Sequence, residues 1–444
     1  MRKWVTAGIL SLQAALSQAA DQTTQVTHSS FPENDFGLVL LGRDLFHDPI
    51  LSGNRNIACA TCHHVTQGSA DAQPLGIGEG GMGLGHQRQV NPATPLQGLV
   101  PRNAPALWNA GASEFTTMFH DGRVAKDSSA PFGFAMPDGA ALEASVPNAL
   151  AAQAMLPPTS HEEMAGAPGE NEIADAVAAG RIRGPNGAWA LLAERVEAIP
   201  SYRRRFTLHI GPRPILMTDI ATAISSYEAY EFRATDSAFD AYLAGREDAL
   251  TPPQKRGLDI FYGKAKCATC HSGPFQTDHD FHAIAMPQIG PGKGHGGTDA
   301  DHGRAAVTGR TEDLYCFRTP SLRNVAQTAP YGHAGAYSSL EDVVRHHLNP
   351  QKSLALFNAA NLSLPALDGS GRVAVHIPDP TEIARISAAN ELEPVTLSQA
   401  EFNDLIRFLH ALSDPQSVIG RLGSPARVPS GLDIDKLSVS SDRY

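Results

Sequence analysis

Four of the five cysteines fall into two Cys-x-x-Cys-His strings, Cys59/Cys62/His63 and Cys267/Cys270/His271, whose first cysteines are 208 residues apart. Such a string is the attachment signal of c-type haem. Two thiols form thioether links at the porphyrin edge, and the adjacent imidazole turns under the iron as its proximal ligand. A zinc ribbon would set its two cysteine pairs about 15–20 residues apart, and a thiol redox pair has no need of the histidine. The chain therefore reads as binding two haem c groups covalently: haem 1 on Cys59, Cys62 and His63, haem 2 on Cys267, Cys270 and His271. Cys316, left over, reads as a small buried residue.

What each iron does depends on its sixth position. A protein ligand there makes an electron carrier, whereas an open position makes a site for peroxide or oxygen. Residues 339–348 (SLEDVVRHHL) offer a ligand for haem 2. At about 100° per residue, Leu340, Val343, Val344, His347 and Leu348 share one apolar arc with His347 near its centre, and His346 falls on the polar side with Asp342. Met286 is the rival ligand.

The elements that position these groups read as mainly α. Residues 36–46 (FGLVLLGRDLF) and 251–262 (TPPQKRGLDIFY) precede the two motifs and echo each other, as a duplicated module would. In the second, Thr251 caps a helix that opens on Pro252 and Pro253. Three- and four-residue spacing predicts another helix from Thr218 through Ile220, Ile224, Tyr227 and Tyr230. Capping boxes predict two more, after Ser339 (with Asp342) and after Ser398 (with Glu401). Residues 124–151 and 157–169 read as surface loops, residues 276–311 as irregular, and strand signals are sparse. The polar stretch 245–251 marks a domain boundary, giving domains at 20–247 and 248–414 and a C-terminal tail at 415–444.

Composition is that of a loop-rich globular chain, 42% apolar and 18% charged with 40 Gly and 32 Pro. A net charge of −11 argues against a nucleic-acid partner and leaves room for a basic protein. Residues 1–19, with Arg2 and Lys3, an apolar run and a small-residue end, read as a secretory signal peptide, so the expected location is outside the cytoplasm. No later segment is long and apolar enough for a membrane span.

Several strings occur in a specific order: LGRDLFHDPILSGNRNIACATCHH, RNAPALWNAG, FHDGR, SAFDAYLAG, CATCHSGPFQTDHDFH and FRTPSLRNVAQTAPYGHAG. Through them the chain resembles the bacterial dihaem cytochrome c peroxidases and their relatives of the MauG type, over about residues 36–412. The resemblance implies two cytochrome c-like haem domains with long irregular loops, haem 1 as the peroxidatic site and haem 2 as a six-coordinate electron-transfer site. His347 aligns with the haem 2 distal ligand. Gln153 and Glu163 stand where the family has its catalytic glutamine and glutamate, the latter moving a proton between the two peroxide oxygens. Asn103, Thr328 and Pro330 match residues around a calcium ion, as oxygen donors suit Ca2+.

The resemblance implies a periplasmic oxidoreductase, a homodimer, that reduces hydrogen peroxide to water with electrons from a small c-type cytochrome or cupredoxin. Two alternatives remain: a MauG-like enzyme oxidising side chains of a partner protein, and a non-enzymatic dihaem electron carrier. This chain departs from the family in three places. Glu79, in Ile77-Gly78-Glu79-Gly80, replaces the removable histidine of haem 1, which leaves that iron open without prior reduction. His120 replaces the tryptophan expected between the haems, and nothing in the sequence puts Trp108 there. His/His ligation at haem 2 lowers its potential relative to His/Met. His333 reads as a structural contact near haem 2, and His279, His282, His295 and His302 as a solvated loop.

Overall fold

The computed structural model describes residues 25–94, 96, 98–137, 139–295, 299–358, 362 and 378–435. The signal expected at residues 1–19 lies outside the described residues. Helices carry the architecture, and strands form three small antiparallel sheets. Gly81–Met82 pairs with Gln89–Val90, Thr117–Met118 with Val124–Lys126 and then Phe134–Ala135, and Phe281–His282 with Phe317–Arg318. Among the described residues no helix is long and apolar enough to cross a membrane.

Buried apolar side chains gather into two main cores. One draws on residues 26–232 plus Phe275, the other on residues 239–412. The Ala238–Leu243 helix already belongs to the second, with Phe239 edge-on to Phe408, so the cores divide ahead of the polar stretch 245–251.

The repeated string Gly-x-Asp-x-Phe explains how each core is built. Asp35 caps the Phe36–His47 helix and Thr251 caps Pro252–Tyr262. Each helix crosses a later one, Met217–Glu231 and Gln399–His410 respectively, at its glycine. A Cβ on Gly42 would lie 1.8 Å from the Ala223 carbonyl oxygen, and one on Gly257 would lie 2.1 Å from that of Asp404. Four residues on, Phe46 and Phe261 enter the two cores with 1% of their surface exposed. A shared backbone contact thus stands behind the sequence echo. The capping box predicted at Ser398 forms with Glu401 and opens Gln399–His410, whereas Ser339 caps Leu340–Leu348 by accepting from the Asp342 amide and turns its hydroxyl to the Asp342 carboxylate.

Two segments differ from expectation. Residues 124–151 are not surface loops throughout, because Val124, Phe134, Leu142 and Val146 point into the first core through short strands and turns with no long period. The segment after Pro415 returns to the first half and is bound there. Glu231 accepts from the backbone amides of Arg421, Leu422 and Gly423, and Asp48 accepts from Ser430 Oγ at 2.6 Å. Polar clamps hold this segment together with a few apolar residues on the first core, Val418, Leu422 and Leu432, whose spacing carries no helical or strand period.

A buried ion cluster also joins the halves. Arg102 reaches Asp301 through Nε and Nη2 at 2.7 and 2.8 Å, and Asp121 through Nη1 at 2.6 Å.

Gly42→Val is expected to destabilise the protein by about 3 kcal/mol, since one of two crossing backbones must move. Urea unfolding of the haem-loaded protein measures this; a loss below 1 kcal/mol would mean that the crossing is not close-packed.

Candidate active site

Each Cys-x-x-Cys-His string closes as a tight turn. The His63 amide donates to the Cys59 carbonyl, and the His271 amide to that of Cys267, both at 2.9 Å. Cys59–Cys62 forms one helical turn, and Cys267–Thr269 a 3-10 turn entered through Lys266 at φ +57°. The same tetrapeptide, Cys-Ala-Thr-Cys, meets different surroundings. Thr269 is exposed, whereas Thr61 is fully buried and donates from Oγ1 to Asp435 of the returning C-terminal segment at 2.5 Å.

Three of the expected ligand histidines share one arrangement. His63 Nδ1 lies 3.1 Å from the Ser69 carbonyl, His271 Nδ1 lies 3.1 Å from that of Gln276, and His347 Nδ1 lies 2.8 Å from that of Val343. A carbonyl only accepts, so each Nδ1 carries the proton and each Nε2 keeps a bare lone pair, the usual preparation of a metal-binding imidazole. Burial lowers all three below the usual histidine pKa, His271 to about 4, which keeps the rings neutral.

The rings of His271 and His347 are neighbours, with centroids 6.3 Å apart and planes inclined by 54°. That gap suits one metal ion bonded to a nitrogen of each ring at about 2 Å. Met286 instead packs its sulfur against Gly332, 2.9 Å from where a Cβ would stand. His346 does not lie on a polar face. It is fully buried, because Tyr337 and the Ile284 carbonyl cover the flank that the helical wheel leaves to solvent.

Around Cys59 and Cys62 the polar groups are of the kind that border a bound group. Asp71 Oδ2, Trp108 Nε1 and Glu228 Oε2 are buried without partners. Burial raises Asp71 to about 7 and Glu228 to about 8, and these two carboxyls act on Cys62 and Cys59 respectively. With the thiols and the free Nε2 of His63, this donor set fits a haem.

Glu163 sits in the turn His161–Ala165, where its amide donates to Ser160 Oγ at 3.3 Å. Burial raises its carboxyl pKa against the pull of Arg123 and Lys293, and its charge is felt at Cys62. Gln153 is on the Ala149–Ala154 helix, partly buried. The Ile77-Gly78-Glu79-Gly80 string lies directly on the Glu163 turn. The Glu79 amide donates to the Glu162 carbonyl at 2.9 Å, and a Cβ on Gly78 would come within 2.7 Å of Glu163 Cα. Glu79 is itself held: Asn56 and Asn54 donate to its Oε2 at 3.0 and 3.3 Å.

Sequence reasoning missed the residue that shapes this string. Arg88 is buried and donates to the carbonyls of Ile77, Gly78 and Gly83. An arginine whose partners are all main chain leaves no pattern to read.

The other candidates scatter. Asn103 Nδ2 donates to the Pro330 carbonyl at 2.8 Å, and its buried Oδ1 has no partner. Thr328 turns its hydroxyl to Val325. His120 lies where the halves meet, between the Asn103 carbonyl and the Arg318 amide, while Trp108 packs on Phe232 inside the first core. His333 stacks on Phe317 at 3.9 Å. His279 and His282 pair with separate carboxylates, whereas His295 and His302 lie together, their ring centroids 5.6 Å apart and the His302 amide donating to His295 Nδ1. Cys316 is buried, its thiol raised to about 11.

Residues 37–248 match the di-haem cytochrome c peroxidase family. The chain is 31% identical over 335 residues to the cytochrome c551 peroxidase of Pseudomonas aeruginosa, covering 72% of this chain and 75% of the relative. It is 27% identical over 382 residues to the methylamine utilization protein MauG of Methylorubrum extorquens, covering 86% and 79%. Among solved structures, a MauG-like protein associated with microbial copper homeostasis superposes with a TM-score of 0.57 at 25% identity, covering 89% of this chain and 94% of that one.

His347→Ala is expected to convert a low-spin ferric EPR signal to high-spin in the haem-loaded protein. An unchanged signal would assign the ligand elsewhere, with Met286 the next residue to replace.

Proposed function

Since this chain belongs to the di-haem cytochrome c peroxidase family, whose members are peroxidase-type oxidoreductases, we propose that it reduces hydrogen peroxide to water at haem 1. A small c-type cytochrome or cupredoxin supplies the electrons through haem 2, outside the cytoplasm. Bound haem supplies an iron that takes up peroxide at the first site and one that relays electrons at the second. Two haem domains, built on the two cores, hold these groups through Cys59, Cys62 and His63 and through Cys267, Cys270, His271 and His347.

The observation that carries this reading is the asymmetry of the two sites. Opposite His271 stands a second neutral imidazole whose Nε2 is free to bind. On the His63 side, the acid in the family's ligand position, Glu79, is tied to Asn54 and Asn56 and rests against the Glu163 turn. One site is thus furnished to close its iron and the other to leave room for a substrate.

Glu163 does the proton work. Its burial raises the carboxyl pKa, so it retains or accepts a proton more readily than a solvated glutamate. It takes the proton from the near peroxide oxygen and returns it to the far one, turning a poor leaving group into water. Gln153 positions the peroxide. For a Ca2+ where the halves meet, Asn103 offers its unpartnered Oδ1, while the Pro330 carbonyl already accepts from Asn103 Nδ2 and the Thr328 hydroxyl is bonded to Val325.

Glu163→Gln is expected to slow the reaction with peroxide by about 100- to 10,000-fold while the ferric spectra of both haems stay unchanged. Stopped-flow mixing of haem-loaded protein with peroxide, then turnover with a reduced cytochrome, measures both. A fully loaded wild-type protein that ignores peroxide would overturn the proposal.

A further inference from the structure

We propose that Arg323 is a positioning residue for haem 2. By gripping the Pro274 carbonyl it fixes the turn whose Gln276 carbonyl aims His271, and so it sets the ligand geometry and the potential of that haem. This rests on the reading of His271 and His347 as the two haem 2 ligands.

His271 Nδ1 donates to the Gln276 carbonyl at 3.1 Å, and Gln276 holds a left-handed backbone angle, φ +48°. A residue with a side chain does not stay there unaided. The brace comes from residues 319–323 (TPSLR). Arg323 donates from Nε and Nη2 to the Pro274 carbonyl at 3.0 and 2.6 Å, Ser321 Oγ donates to the Phe275 carbonyl at 2.8 Å, and Thr277 Oγ1 donates to the Thr319 carbonyl at 2.7 Å. Residues on both sides of Gln276 are thus held by one short segment. The Arg323 amide also donates to Ser321 Oγ at 3.2 Å, which ties the two bracing side chains together.

The guanidinium is itself fixed. Its side chain is fully buried, and Nη1 donates to Asp240 Oδ1 at 2.6 Å. Asp240 is buried in turn, with Oδ2 accepting from the Ser237 amide and hydroxyl. A buried cation paired in this way is balanced where it stands, and leaving the site would strand the carboxylate. On the other side of the turn, Phe275 is fully buried in the first core, edge-on to Phe31 and Phe115 with centroids 6.2 and 5.3 Å away. The turn is therefore clamped between a charged grip from the second half and an apolar anchor in the first. The Gln276 carbonyl has one direction in which to point.

Two properties of an iron between two imidazoles depend on that direction. The ring planes of His271 and His347 are inclined by 54°, and the acceptor of each Nδ1 proton fixes how its ring is turned. Donation from Nδ1 also makes Nε2 a stronger electron donor, which favours the ferric state and lowers the potential. A slackened turn lets the His271 ring rotate and weakens this donation, so the potential rises.

The test is EPR and redox titration of the haem-loaded protein. The g values of a low-spin ferric haem respond to the angle between its axial ring planes. Arg323→Gln is expected to shift the largest g value of haem 2 and to split its signal into more than one species, and Arg323→Lys, which returns a charged donor, to bring it back toward wild type. Ser321→Ala changes no charge and is expected to raise the haem 2 midpoint potential. Leu405→Ala, which takes buried volume from the same core, is expected to lower the urea midpoint and leave both readings as they were. Where Arg323→Gln does not take up haem, its combination with Asp240→Asn leaves no buried charge unpaired and is read in its place. Unchanged g values in the Arg323→Gln protein, an unchanged potential in Ser321→Ala, or the same shifts in Leu405→Ala would overturn the positioning role alone. A wild-type haem 2 without the low-spin signal of two imidazole ligands would overturn the ligand assignment and the role with it.

Discussion

His63, His271 and His347 each give their Nδ1 proton to a main-chain carbonyl, and that choice of tautomer constrains the loops supplying the carbonyls. For His347 the acceptor comes from its own helix, one turn back at Val343. For the other two it comes from Ser69 and Gln276, and both residues adopt left-handed backbone angles, φ +56° and +48°. Such a conformation costs a non-glycine residue on the order of 1 kcal/mol, and neither turn forms without support. Ser69 is fully buried with its hydroxyl accepting from the Leu107 amide, and Gln276 is fully buried beside Ser272 and Gly273. A strained, buried turn behind each proximal imidazole is how the chain presents a bare nitrogen in a fixed direction.

The same logic governs the seam between the two cores. Arg102 brings one guanidinium to two buried carboxylates, and its charge and hydrogen bonds hold Asp301 and Asp121 below the usual carboxylate range. Removing one member of such a buried set costs about 3–5 kcal/mol, because the charge left behind has no water to turn to. His120 and His333 lie in the field of this arginine, and burial, with Arg102 adding to it, keeps both rings uncharged. Arg123 also pairs with Asp121, so two guanidiniums meet two carboxylates at the seam, and the His120 ring lies beside them against the Asn103 carbonyl.

The sequence was most informative where chemistry demands fixed spacing. The two Cys-x-x-Cys-His strings, the Ser339 and Ser398 caps and the apolar arc holding His347 depend on neighbours within about one helical turn, and such patterns survive in one dimension. His346 was misjudged because its environment comes from Ile284, 62 residues earlier, and from a tyrosine outside the helix. Residues 124–151 were misjudged because two- and three-residue strands are too short to show a period. Arg88 acts on main-chain carbonyls, which every residue possesses, and the C-terminal segment is held by main-chain amides and by single polar side chains, Ser430 and Asp435, that form no repeating pattern.

The burial of Thr61 under Asp435 has a consequence in time. Synthesis runs from the N-terminus, so the first haem-attachment string emerges early and the segment that closes over it emerges more than 370 residues later. Until then the edge carrying Cys59 and Cys62 is uncovered, while its counterpart at Cys267 and Cys270 stays open at Thr269 even in the finished fold. Closing the first attachment string is therefore a long-range event of folding, separate from forming its local turn. The second string is complete as a local turn.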